Sequence, residues 1–175
     1  MEYWLIYDVG TGDVLVRGSG MHGAAALPLP DEGAAMIVVP KAVVAQPELN
    51  LEALRAALVK RIDAEAEAVR LRYLTAGAGQ ALVYASKETE ARAWLVDDAL
   101  PTPFLTAEAA ARNMTIAALA AEVVAMANQW TAIGAAIEGL RMGAKAQLQA
   151  AQNVATMVAA ATIDWASAGL PEHTA

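Results

Sequence analysis

The chain has 175 residues, of which 57% are hydrophobic and 18% are charged, and its net charge is -7. This apolar content excludes the charged, apolar-poor type of intrinsic disorder. The acidic balance argues against a nucleic-acid-binding surface, which needs clustered Lys and Arg. The lack of cysteine removes disulfides, thiolate nucleophiles and cysteine-ligated metal sites together. Alanine supplies 44 residues, about a quarter of the chain, and this excess favours helices with small side chains and a scaffold rather than a pocket-bearing enzyme.

Two targeting features are also missing from the sequence. The segment after Met1 and Glu2 lacks the basic region and apolar core of a secretory signal. No run of roughly 18 apolar residues occurs, so we expect no membrane span.

Residues 1–46 have the short apolar runs of strands. The aromatic and β-branched residues 3–7 predict a first strand, residues 8–13 a turn, and residues 14–17 a second strand. We expect residues 18–23 to form a loop and residues 36–39 to form a third strand after a long connection. The prediction is a small antiparallel meander that packs on a helix or on a partner chain.

From Asn50, which we predict to be an N-cap, the apolar period becomes helical. A break at residues 75–79, a second helix over 80–96 and a linker with two prolines over 97–103 follow. The apolar positions of the first helix recur at spacings of three and four residues: Leu51, Leu54, Leu58, Ile62, Ala66, Val69 and Tyr73.

The last zone carries the most regular pattern. Thr106 is expected to cap a short helix that ends at Arg112, and Thr115 to open a much longer one. Its apolar residues keep a heptad register that continues to Trp165, which is typical of a coiled coil. We expect one continuous rod through Gly134, Gly139 and Gly143 rather than a break near Gly134. The predicted oligomerisation seam consists of Ile116, Leu119, Val123, Met126, Trp130, Ile133, Ile137 and Leu140.

The predicted fold class is therefore α+β, with an N-terminal antiparallel β meander followed by an Ala-rich helical bundle or coiled-coil region. The three predicted domains are a β-rich docking module at residues 1–46, a helical hairpin at 47–100, and the heptad-bearing helix or helices at 101–175. Within the docking module, Tyr3 and Trp4 alternate on one strand, so one of them should be free to anchor a partner.

No residue pattern supports catalysis, and we predict no catalytic, cofactor-binding or metal-binding residue. Residues 8–12 resemble the phosphate hairpin of actin-like ATPases, but a Gly-rich hairpin turn is the simpler interpretation. His22 and His173 have no second histidine within helical reach. Glu88 and Arg92 are spaced as a surface ion pair.

Two segments resemble phage and prophage tail-fibre-region proteins. The first reads Arg-Leu-Arg-Tyr-Leu-Thr-Ala-Gly-Ala-Gly-Gln-Ala-Leu-Val-Tyr at residues 70–84 and continues with similar residues at 87–88 and 91–95. The second is Trp-Thr-Ala-Ile-Gly-Ala-Ala-Ile-Glu-Gly-Leu-Arg at residues 130–141, followed by Lys145. The N-terminal turn, Asp-Val-Gly-Thr-Gly-Asp, is also similar to β modules that open such proteins. Family members often have proline where Ala76 stands.

The resemblance implies a structural virion protein of the tail, baseplate or tail fibre that is assembled in the host cytoplasm. The expected partners are further copies of the chain, with a trimer favoured, and other phage tail proteins, with a host-surface receptor as a further candidate. No cofactor, nucleic acid or membrane span is expected. The alternative is a tail-fibre assembly chaperone that is not retained in the virion. The family has no established active site, so no functional residue carries over.

Overall fold

The computed structural model describes residues 1–23, 32–73 and 78–168. A three-stranded antiparallel sheet is followed by helices, so the predicted α+β class is confirmed. The elements are β1 (Glu2–Asp8), β2 (Val14–Gly20), β3 (Ala34–Val39), α1 (Lys41–Val44), α2 (Leu51–Arg70), α3 (Ala78–Trp94), α4 (Pro103–Arg112), α5 (Ile116–Ala150), α6 (Val154–Ala160) and a short 3₁₀ helix (Trp165–Ala168).

Strand β1 lies in the centre of the sheet, and this order differs from the sequential meander that we predicted. Both β2 and β3 pair with β1 in antiparallel fashion. Leu5 and Tyr7 are buried in the core, and Trp4, on the other face of the strand, is also buried. The core covers the face of β1 that carries Leu5 and Tyr7, whereas the Trp4 ring on the opposite face lies over Gly18 of the neighbouring strand.

Strand β2 extends further than the sequence predicted. Gly18, Ser19 and Gly20 pair with β1, so the first three residues of the predicted loop at 18–23 are strand. Gly18 is required there because the ring of Trp4 lies over it. A β-carbon at this position would be 2.2 Å from the ring. The long connection that we expected before β3 includes residues 24–31, which lie outside the described part of the chain.

The chain divides into two compact units. The first contains Met1–Ala68 together with Glu138–Ser167, and the second contains Val69–Ile137. The predicted boundary after residue 100 falls inside the second unit, where Ala91 shares a core with Leu105 and Ala109. The predicted boundary after residue 46 falls inside the first unit, because the sheet shares a core with helices from both ends of the chain. That core consists of Leu5, Tyr7, Ile37, Val39, Val43, Leu54, Leu58, Ile62, Ala144, Leu148, Ala151, Val154, Met157, Ala160 and Ala161.

The structure confirms the N-cap and the apolar face that the sequence predicted for helix α2. The Asn50 side chain accepts a hydrogen bond from the Ala53 N–H at 2.9 Å, which is the predicted N-cap. Leu54, Leu58 and Ile62 are buried at the predicted spacing, and Ala66 and Val69 continue this buried face, which places one side of the helix in a core.

The second unit has a smaller core, formed by Ala91, Leu105, Ala109, Leu119 and Ala120. Helix α4 begins at Pro103, three residues before the predicted cap Thr106. The Glu90 carboxylate of α3 accepts hydrogen bonds from the first backbone N–H groups of α4, so a distant acid takes the role that we assigned to a local threonine. Of the predicted break at residues 75–79, residues 75–77 lie outside the described part, and 78 and 79 belong to α3.

Helix α5 is continuous through Gly134, Gly139 and Gly143, as predicted. Thr115 caps it by accepting the Ala118 N–H at 3.1 Å. Its 35 residues correspond to a length of ~52 Å, at ~1.5 Å per residue.

The predicted continuation of this helix to Trp165 is wrong, because α5 ends at Ala150. Asn153 begins α6 with a capping box, in which its side chain accepts the Thr156 N–H while the Thr156 hydroxyl accepts the Asn153 N–H. At the end of α5, the Arg55 guanidinium donates to the carbonyls of Leu148 and Ala151.

We expect Arg55→Ala to lower the free energy of unfolding by about 2–3 kcal/mol, because two carbonyls at the end of α5 lose a charged donor. Urea denaturation followed by circular dichroism measures this loss. Lys60→Ala, at an exposed position on the same helix, is the matched control and should change stability by less than about 0.5 kcal/mol. Equal urea midpoints for the two variants would contradict the role of Arg55.

Candidate functional site

In the turn at residues 8–13, the backbone N–H groups of residues 10–12 donate hydrogen bonds within the turn, so they are not directed at a ligand. The Asp8 carboxylate accepts hydrogen bonds from the N–H groups of Gly10 at 2.8 Å and Thr11 at 2.7 Å. These bonds, with that from Thr11 the stronger, lower the pKa of Asp8. The Gly12 N–H donates to the Asp8 carbonyl. A phosphate would have to displace the carboxylate, so the geometry fits the hairpin turn and not the phosphate hairpin.

The same turn packs against the start of α6. Gly12 has a φ of +80°, and a β-carbon there would be 2.4 Å from the side chain of Asn153. The Asn153 amide also donates to the Thr11 carbonyl at 3.2 Å. Asn153 therefore caps α6 and fixes the hairpin at once, which gives these glycine and asparagine residues a structural role.

The histidine that the structure describes, His22, is highly exposed and lies 2.8 Å from a Glu2 carboxylate oxygen. The second oxygen of Glu2 accepts the Gly23 N–H. Among the described residues, no group of three or more His, Cys, Asp or Glu side chains is placed to hold a metal ion. His173 lies outside the described part of the chain.

The two aromatic residues predicted for docking lie on opposite faces of β1. Trp4 is 9% exposed, and Tyr3 is half-buried against the core of the first unit. Neither ring projects freely from the sheet. The more exposed apolar side chains on the Trp4 face are Val16 and Val38, which lie on the edge strands β2 and β3. Docking through Tyr3 or Trp4 stays a prediction.

The predicted oligomerisation seam is used in part by the chain itself. Leu119, Ile133 and Ile137 are buried within the single chain, and Ile116 and Val123 pack at the core of the second unit. Trp130 and Leu140 are half-buried, and Met126 is 63% exposed. Association of copies through α5 therefore has to use mainly the side chains that the chain leaves exposed.

Apart from Met142, the exposed face of α5 consists of small residues at spacings of three and four, and it carries no charge. Its glycines leave open space, since a β-carbon added at Gly139 or Gly143 would meet no atom within 4 Å. One helix in the described residues, α5, is long and apolar enough to cross a membrane by length and composition alone, and 17% of its most apolar 18 residues are buried. The exposed face comprises Ala117, Ala121, Ala125, Asn128, Ala132, Ala135, Gly139, Met142, Gly143 and Ala146.

An ionic cluster joins α2 to the last turns of α5. Asp63 lies 2.6 Å from both Arg141 and Lys145, and Arg141 also pairs with Glu138. The hydrogen bond from Lys145, followed by that from Arg141, lowers the pKa of Asp63. Pairing with Glu138 and then with Asp63 raises the pKa of Arg141. Sequence reasoning missed this cluster because Asp63 is about 80 residues from its partners.

A second ionic cluster lies in the other unit. Glu108 accepts from Lys87 at 2.8 Å and from Arg112 at 3.1 Å, and Arg112 reaches Glu122 on α5. The bond from Lys87, more than that from Arg112, lowers the pKa of Glu108. The predicted ion pair between Glu88 and Arg92 is confirmed, with a separation of 2.8 Å.

No protein-family model matches the chain, and no curated protein or solved structure is similar enough to it to count as a match.

We expect the stabilisation by Asp63 to depend on pH. Because its folded-state pKa is lowered, the carboxylate contributes fully above the ordinary aspartate pKa of about 4 and loses its contribution as the pH falls through the folded value. Asp63→Asn should lower the urea midpoint at pH 7, and its difference from the unmodified chain should shrink at about pH 3. Asp13→Asn, at an exposed position outside the proposed contact surfaces, is the control. A difference that is the same at both pH values would rule out the ion pairs as its source.

Proposed function

We propose that the protein is a structural component of a bacteriophage virion, associated with the tail, baseplate or tail fibre, and that its copies associate through α5. The resemblance of residues 70–95 and 130–145 to tail-fibre-region proteins supports the setting. The observation that carries the self-association is the exposed, uncharged, small-residue face of α5.

The glycines of α5 support close contact between copies. Glycine inside a helix costs about 1 kcal/mol relative to alanine. Within one chain nothing packs into the space beside Gly139 or Gly143, so the fold of the single chain does not require them. A second helix that approaches at these positions would require them, because a missing β-carbon lets two backbones come closer. Ala132, Ala135 and Ala146 extend the same face.

The low burial of α5 supports the same proposal. A helix of this hydropathy leaves much apolar surface in water when 17% of its most apolar part is buried. Packing against copies of itself would cover that surface. The last turns of α5 carry Glu138, Arg141 and Lys145, which are paired with one another or with Asp63. Charges arranged in this way suit a helix in water better than one in lipid.

We expect Gly139→Ala and Gly143→Ala, made together, to weaken self-association while each stabilises the helix by about 1 kcal/mol. Light scattering coupled to size-exclusion chromatography measures the mass, and thermal denaturation measures the stability. Gly134→Ala is the matched control, because its β-carbon would only touch Trp130 at 4.0 Å. A monomeric unmodified chain at high micromolar concentration, or a double variant with unchanged mass, would defeat the proposal.

The virion setting has its own test. Quantitative mass spectrometry of purified particles should find the chain in a fixed ratio to the other tail proteins. A tail-fibre assembly chaperone would be missing or far below that ratio, so this result would favour the alternative function.

A further inference from the structure

We propose that the turn between α3 and α4 binds a second copy of the chain, through the residues that follow α2 in that copy. The turn supplies an apolar and acidic surface, formed by Leu95, Val96, Asp97, Asp98 and Leu100. The second copy supplies Leu71 and Arg72. This inference is independent of the contact through α5, and both surfaces lie in the second unit.

The turn is held in one conformation by hydrogen bonds. The N–H groups of Leu95 and Val96 donate to the last carbonyls of α3, and the Leu100 N–H donates to the Asp97 carbonyl at 3.3 Å. The Asp97 carboxylate accepts the Ala99 N–H at 3.1 Å. Beyond the turn, Glu90 fixes the start of α4. A surface that is already ordered loses little conformational entropy when it binds a partner.

Large apolar side chains project from this ordered turn. Val96 is 89% exposed, and Leu95, Leu100 and the neighbouring Phe104 are between 43% and 53% exposed. The i to i+3 hydrogen bond keeps Asp97 and Leu100 within about 7 Å of each other. The core of the second unit does not include these side chains. Exposed apolar groups that are grouped on a rigid turn are typical of a contact surface.

The charge around the turn specifies a basic partner. Asp97 and Asp98 are both exposed, and no Lys or Arg occurs between residues 93 and 111. An apolar partner without a cation would leave both carboxylates desolvated and unpaired at the edge of the contact. The complementary surface therefore combines an apolar side chain with a positive charge.

The chain itself carries such a surface. Leu71 is 56% exposed and Arg72, the next residue, is also exposed. Because Val96 and Leu71 both stay exposed in the single chain, they do not cover each other within one molecule. In a contact between two copies, Leu71 would meet Val96 and Leu100, and Arg72 would pair with the aspartates. This contact joins two different surfaces, so it adds copies head to tail in a ring or a filament.

Charge reversal tests the contact. Asp98→Lys, and separately Arg72→Glu, should each raise the dissociation constant of the head-to-tail step at least tenfold, whereas Asp97 is kept because its carboxylate holds the turn. The double variant Asp98→Lys with Arg72→Glu, which reverses both sides, should restore it. Sedimentation velocity over a range of protein concentrations measures the growth in mass, and added NaCl should weaken it. Asp13→Lys is the control for Asp98→Lys, since it changes the net charge equally at an exposed position elsewhere.

Val96→Ser provides a variant without charge change, and it should also weaken growth while leaving the fold intact by circular dichroism. Unchanged growth in the Asp98→Lys variant, or a double variant with Arg72→Glu that does not recover, would overturn the proposal. The proposal would also be overturned if the unmodified chain grew no further than the oligomer formed through α5. Binding of a Lys- and Leu-rich amphipathic peptide without growth between copies would overturn it as well, because the turn would then serve a different partner. Loss of association in the Gly139 and Gly143 variant concerns α5 alone, so the two proposals fail separately.

Discussion

The first unit depends on hydrogen bonds that α2 donates to the free backbone carbonyls at the ends of two other helices. The last carbonyls of a helix have no partner within it, and together they carry a partial negative charge. Arg55 donates to Leu148 and Ala151 at the end of α5, and Arg61 donates to Ala161 at the end of α6. An arginine fork suits this task because one side chain can serve two carbonyls and stays charged. Two arginines on one helix thus fix where α5 ends and where α6 lies.

Other contacts of the first unit build on that arrangement. Once α5 has ended, Asn153 is free to cap α6 and to hold the β1–β2 turn through Gly12 and Thr11. The sheet and the C-terminal helices are then attached through polar contacts as well as through the shared core. Glu65 on α2 adds a hydrogen bond from Trp165 at 3.2 Å, which holds the segment after α6. One helix near the start of the chain therefore organises segments that lie about 100 residues later.

Sequence reasoning succeeded where the signal is local. The caps Asn50 and Thr115, the strand segments and the buried face of α2 all depend on residues within about four positions of one another, and these were confirmed. It failed where the local structure depends on a residue that is distant in the sequence. The central place of β1, the end of α5 at Ala150 and the cap of α4 by Glu90 each depend on a partner that no periodicity displays. For the candidate site, the heptad register predicted a long helix at the position of α5. It could not predict which face of that helix is buried within the single chain and which face stays exposed.

The composition of α5 then decides what kind of contact its free face can make. Alanine and glycine bury little apolar surface per residue, so a contact through them is weak unless the backbones approach closely over many turns. The length of α5 meets that requirement, and the open space at Gly139 and Gly143 permits the approach. The turn after α3 has the opposite character, because a few large side chains and two carboxylates are concentrated there. A long small-residue face suits close packing between helices, and a compact surface of large apolar side chains with two carboxylates suits a small, charge-dependent contact. The two proposed contacts therefore differ in physical character: the first should depend on the missing β-carbons of Gly139 and Gly143, and the second on ionic strength.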